Sequence, residues 1–169
     1  MREVAVDQEI TAYNLAGSCL ERYVASNLLW KKRLNMSLNG SCLCGQIRYR
    51  IHGPLETVLN CHCSMCRKAH GAAFRTRAAV RTADFEWVGG ESLLSRFESS
   101  KGEHRTFCSM CGSNLVTLFE ENPEWLGFAL GTLDDDPGVK PEMHVFVGDK
   151  APWHEITDDL PRWREVPDY

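Results

Sequence analysis

Gly40-Ser41-Cys42-Leu43-Cys44-Gly45-Gln46-Ile47-Arg48-Tyr49-Arg50-Ile51 places a cysteine knuckle directly before a strand. From Gln46 to Ile51 apolar and polar residues alternate, the pattern of a strand with one buried face. The two cysteines, one residue apart and followed by glycine, present soft sulfur donors on a tight turn. Gly53-Pro54 stops the strand. The same period of two recurs downstream. It predicts strands over 57–60 (running into Cys61), 74–80, 85–88, 93–98, 104–107, 115–119, 126–133 and 143–147. Turn residues at Gly89-Gly90 and over 99–102 separate them, and 134–138 reads as a loop. One helical turn is predicted over 66–70, closed by Gly71. The expected fold is mainly β: a small domain over 36–169 whose sheets are pinned by metal.

Upstream of this pattern, residues 1–35 form an extension of different character. Leu20, Val24 and Leu28 make one apolar stripe with Tyr23 beside it, and Lys31, Lys32 and Arg33 follow. That spacing predicts a helix over 18–34. Met36 is a candidate for the true start of the protein, with the extension an upstream translation product.

The whole chain has 169 residues, 43% of them hydrophobic and 25% charged, enough for one domain with a real core. The formal net charge of −4 argues against nucleic acid as a partner. No apolar run approaches the roughly 20 residues that span a bilayer. Glu3, Asp7 and Glu9 make the first ten residues unlike a signal or transit peptide. A cytoplasmic protein with reduced thiols is therefore expected, and a disulfide framework is disfavoured for its eight cysteines.

Seven of those cysteines fall into two constellations. Cys42 and Cys44 combine with Cys108-Ser109-Met110-Cys111-Gly112, two glycine-flanked knuckles far apart in the chain. Four thiolates suit tetrahedral zinc in a closed structural site, where binding energy becomes folding energy. Cys61-His62-Cys63-Ser64-Met65-Cys66 supplies three more sulfurs from one loop. Three ligands leave a fourth position for water or a substrate sulfur, as in catalytic zinc sites. Closure by His62, His70 or another side chain is the alternative. Arg67, Lys68, Arg75 and Arg77 surround this second motif with positive charge that could receive an anionic substrate. Cys19 stands apart as an ordinary thiol.

These blocks, with Arg67-Lys68 after the second, Phe107 before the third and Ser113 after it, resemble the glutathione-dependent formaldehyde-activating enzyme family, which also includes centromere protein V. Phe74, Gly89-Gly90, Gly131-Thr132-Leu133-Asp134, His144 and Ala151-Pro152-Trp153 fit the same pattern. The resemblance covers about residues 38 to 165. It implies a tent-like fold of coiled antiparallel sheets and two zinc ions per chain. Cys42, Cys44, Cys108 and Cys111 match the family's structural ligands, and Cys61, Cys63 and Cys66 its catalytic ones. The implied activity is that of a carbon–sulfur lyase run in reverse: glutathione adds to formaldehyde, giving S-hydroxymethylglutathione. On that reading Arg67, Lys68, Arg75 or Arg77 could hold the glutathione carboxylates, and the partners are a small thiol and an aldehyde. The competing reading is a non-enzymatic zinc module that binds a protein partner. Residues 1–35 depart from the family pattern.

Overall fold

The computed structural model of the chain describes residues 37–167. The helix expected over 18–34, Met36 as a start, and Cys19 lie outside the described residues. Within them are ten strands and one α-helix: β1 (Leu38–Ser41), β2 (Arg48–Ile51), β3 (Glu56–Cys61), α1 (Ser64–His70), β4 (Arg75–Arg81), β5 (Phe85–Gly89), β6 (Leu94–Ser100), β7 (Glu103–Cys108), β8 (Asn114–Phe119), β9 (Trp125–Ala129) and β10 (Met143–Val145). A three-stranded sheet runs β1-β2-β5 and a seven-stranded sheet β10-β3-β4-β9-β8-β7-β6. No helix among the described residues is long and apolar enough to cross a membrane.

The alternation of β2 decides how the sheets meet. Tyr49 and Ile51 point inward and are almost fully buried. They join Val58, Ala78, Val80, Val116 and Phe128 from one face of the large sheet in a single core. Tyr49 stacks on Phe85 at 5.1 Å between ring centroids and meets Phe128 edge-on at 6.3 Å. Each large side chain buried there contributes about 1.5–3 kcal/mol. The Tyr49 hydroxyl reaches Thr132 Oγ1 at 2.7 Å, and its ring lies where a side chain at Gly40 would have to go. A side chain at that position would force the Tyr49 ring or the Thr132 carbonyl to shift.

Three expectations are corrected. The sheets are not purely antiparallel: β10 pairs with β3 in parallel, Met143 opposite Leu59 and Val145 opposite Cys61. Strand periodicity carries no direction, and the long connection over 130–142 lets the chain return on the same heading. The strand expected over 126–133 stops at Ala129, because Leu130–Thr132 turns as a 3-10 helix and the Thr132 hydroxyl donates to the Ala129 carbonyl at 2.7 Å. The strand expected over 143–147 ends at Val145, because Phe146 takes a left-handed φ of 55°.

The second face of the large sheet positions the chemistry. Cross-strand partners share a face. Cys61 lies opposite Arg75, Leu59 opposite Arg77, Arg105 opposite Thr117, and Thr117 opposite Gly127. Helix α1 covers this face, and the Asn114 amide donates to its Ala69 carbonyl at 2.6 Å. The outer edge of β10 is covered in turn: His144 N–H donates to Pro161 O and Trp163 N–H to His144 O, both at 2.8 Å.

Candidate metal centres and active site

The β1–β2 and β7–β8 connections place the sulfurs of Cys42, Cys44, Cys108 and Cys111 within 4.8 Å of one another. Both knuckles turn through left-handed glycines, Gly45 at φ 70° and Gly112 at φ 75°. The Gly45 N–H donates to Cys42 O and the Gly112 N–H to Cys108 O, each at 2.8 Å. The Ile47 amide points at Cys42 Sγ from 3.3 Å. Tetrahedral zinc with bonds of about 2.3 Å needs sulfurs about 3.8 Å apart. Cys42 and Cys44 are 3.4 Å apart and Cys44 and Cys108 3.9 Å, so the donor set fits such an ion. Ser113 braces both loops: its hydroxyl accepts from the Leu43 amide at 2.9 Å and its carbonyl from the Cys108 amide at 3.0 Å. Hydrogen bonds from the Ser113 hydroxyl and then its amide pull the Cys111 thiol down to about 5.

The second centre is built where β3 hands over to α1. Cys61 ends the strand, Cys63 caps the helix, and Cys66 lies in its first turn, with all three sulfurs within 4.8 Å. The Cys66 amide donates to Cys63 Sγ at 3.3 Å. Left-handed Gly71 then closes the helix, as its sequence position predicts. The three cysteines are 4–8% exposed. Among the described residues no histidine, aspartate or glutamate joins them within ligand range. Three soft donors with a vacant fourth direction fit zinc in an open site.

Positive charge reaches this centre through the fold. Arg105, 8% exposed on β7, directs Nη1 and Nη2 at Cys66 Sγ, each at 3.9 Å. Hydrogen bonds from the Cys61 and Cys63 thiols hold the Cys66 thiol far below its usual range, and the charges of Arg105 and Arg75 reinforce them. Arg75 is 5% exposed, donates to Thr117 Oγ1 at 2.9 Å and Gly127 O at 3.2 Å, and is lowered to about 10 by burial. A cavity of about 600 Å³ opens beside α1, lined by Met65, Lys68, Phe97, Arg105, Phe107 and Asn114. A second, of about 540 Å³, shares Asn114 and contains His70 and Arg75.

Residues 37–149 match the family model described as glutathione-dependent formaldehyde-activating enzyme. The chain belongs to that family. A relative from Halomonas elongata, named for the same activity, is 34% identical over 129 residues, covering 72% of this chain and 82% of the relative. A crystal structure of a Rhodobacter sphaeroides protein superposes with a TM-score of 0.49 at 24% identity, over 74% of this chain and 98% of that one.

The four cations singled out by their nearness to Cys66 in sequence take separate positions. Lys68 is exposed and lines the larger cavity. Arg67 turns its Nε to the His62 carbonyl at 3.3 Å. Arg75 is enclosed beneath α1. Arg77 lies two residues further along the same strand, against Gly127. Two features escaped the sequence reading. Arg105 lies far from the Cys61–Cys66 motif in sequence, and only the β7–β8–β9–β4 register brings it to the sulfurs. The buried His62 ring contacts His144 instead of the thiols: His62 Nε2 and His144 Nδ1 are 2.8 Å apart. His144 stood out as a family match, yet nothing local in sequence signals that pairing.

Proposed function

We propose that this chain is a zinc-dependent enzyme of the carbon–sulfur lyase type that joins glutathione, or a related thiol, to formaldehyde or another small aldehyde. The family membership supports the substrate pair. The observation that carries the rest is the trio of buried sulfurs, which no fourth cysteine, histidine or carboxylate joins within range among the described residues. Cys61, Cys63 and Cys66 would hold the catalytic zinc, and Cys42, Cys44, Cys108 and Cys111 a structural one that staples the two sheets into a β-tent. The domain is read as 36–169, working in the cytoplasm, where its thiols stay reduced.

Bound at the trio, zinc would supply the charge that keeps a substrate thiol, with an ordinary pKa of about 8.5, deprotonated at neutral pH. The chain's residues do the remaining work. Three thiolates and a divalent ion leave a net negative centre, and Arg105 offsets that charge from 3.9 Å. Arg75 adds a fixed charge from below, its Nη1 and Nη2 held by Thr117 Oγ1 and Gly127 O. Burial of the trio keeps bulk water from competing for the aldehyde. Lys68, at the cavity wall, would pair with a substrate carboxylate; Arg67 on α1 and Arg77 on β4 line neither cavity and are the lesser candidates. In the net reaction the thiol S–H bond and the carbonyl π bond are lost. An S–C bond and an O–H bond replace them, so atoms balance without an oxidant.

Zinc content measured with and without excess glutathione, on wild type and Cys63→Ser, tests the reading. Wild type should hold two zinc ions, one of them perturbed by glutathione, and should speed adduct formation followed by NMR. Cys63→Ser should lose one ion and the activity. Full activity in that variant, or one ion indifferent to glutathione, would refute the mechanism.

A further inference from the structure

His62 lies between two sulfur donors in the chain and is completely buried, yet its ring stays out of their ligand range. Its placement is enforced from the other side. His62 Nε2 meets His144 Nδ1 at 2.8 Å, and His144 Nε2 lies 3.1 Å from both oxygens of the Asp158 carboxylate. Protons can be assigned from the outside inward. A carboxylate only accepts, so His144 Nε2 carries the hydrogen it shares with Asp158. In the tautomer where His144 Nδ1 is the acceptor, His62 Nε2–H is the donor, and His62 Nδ1, buried and without a partner, holds a lone pair. An imidazole in that state is a ready zinc ligand.

The backbone repeats the restraint. The His62 N–H donates to Val145 O at 3.0 Å, so ring and main chain are both tied to β10. Strand β10 is itself held by the segment around Pro161 and Trp163. Asp158 lies beyond residue 149, where the family match ends.

We infer that the His144–Asp158 pair holds the His62 ring away from the three-cysteine centre and so keeps its fourth position open for a thiol. The inference rests on the open-site reading of the preceding subsection. Released from His144, the ring would retain two unsatisfied nitrogens in a dry environment, and the centre beside it is the strongest available acceptor of a lone pair. Capture would produce a closed Cys3His set, the composition of a structural zinc site. His144 and Asp158 are thus positioning residues, and His62 is the group they restrain.

Cobalt(II) substitution of the full chain provides the readout, because sulfur-to-cobalt charge-transfer bands report the ligand set without requiring turnover. In wild type, glutathione should shift these bands. In His144→Leu the shift should need about tenfold more glutathione, as follows if His62 occupies the position nine-tenths of the time. Adding His62→Phe should restore the wild-type response. Asp158→Ala, at the exposed end of the chain of hydrogen bonds, should give a weaker effect of the same sign and serves if His144→Leu fails to fold. A wild-type response in both single variants, or a double variant no better than His144→Leu, overturns the inference. A wild-type protein whose bands ignore glutathione overturns the open site and the inference with it, whereas intact cobalt shifts without turnover would refute the enzymatic reading alone.

Discussion

Replacing Arg105 with methionine removes one charge from the enclosed face of the large sheet while keeping most of the side-chain volume. Both guanidinium nitrogens of Arg105 lie 3.9 Å from Cys66 Sγ. Two unit charges at about 4 Å interact by about 4 kcal/mol at an effective dielectric of about 20. Burying the guanidinium costs part of that, so the net loss should fall near the 1.5–3 kcal/mol typical of a hydrogen bond to a charged group, roughly. The three-cysteine centre should therefore bind zinc about 10- to 150-fold more weakly in the variant. The four-cysteine centre, built on the β1–β2 and β7–β8 connections and without Arg105 in its donor set, should be unaffected. Competition with a chromophoric chelator resolves the two ions. Arg105→Lys, which keeps the charge but lacks the paired donors, should recover part of the loss. Equal weakening at both centres would show general damage to the fold, and unchanged affinity at the trio would refute the electrostatic argument.

Cys108→Ser should be far more damaging than any change at the trio. Structural zinc contributes about 10–16 kcal/mol on binding, comparable to the whole stability of a domain; thermal unfolding with and without chelator checks this, and an unchanged melting temperature would contradict it. Gly40→Ala should cost about 1–3 kcal/mol through overpacking, because the added methyl runs into the Tyr49 ring and the Thr132 carbonyl. Denaturant titration of that variant should show a lower midpoint at unchanged slope, and wild-type stability would mean that Tyr49 swings aside without cost.

Local patterns made much of this molecule readable. The alternation of Gln46 to Ile51 foretold β2, whose Tyr49 and Ile51 do enter the core, and Gly71 foretold the end of α1. Both cysteine groups assemble as their spacing implied, because each knuckle is closed by its own backbone turn. What escaped were relations that only tertiary structure creates. The four cations were chosen by proximity in sequence to Cys66, but a sheet brings charge from strands distant in the chain, and Arg105 arrives through cross-strand register. The identical side chain at Arg75 donates from Nη1 and Nη2 to Thr117 and Gly127, which no sequence period reveals. The parallel direction of β10 was equally hidden. The hydrogen-bonded run from His62 through His144 to Asp158 depends on that direction, since the parallel register sets Val145 beside Cys61.

The two metal centres differ in how much chain separates their ligands, and this imposes an order on assembly. The trio closes within a single six-residue motif, whereas Cys44 and Cys108 are 64 residues apart. Loop-closure entropy grows as the logarithm of length, so the wider staple costs about 2 kcal/mol more to close before any metal bond repays it. A chain emerging from the ribosome therefore exposes a complete metal-capturing loop while its partner knuckle has yet to be synthesised. On the proposed reading, metal would load the three-cysteine group first, before the second knuckle exists. The late knuckle at Cys108 and Cys111 would then be the commitment step, and on the proposed zinc reading a cell short of the metal would accumulate chains stalled at that point.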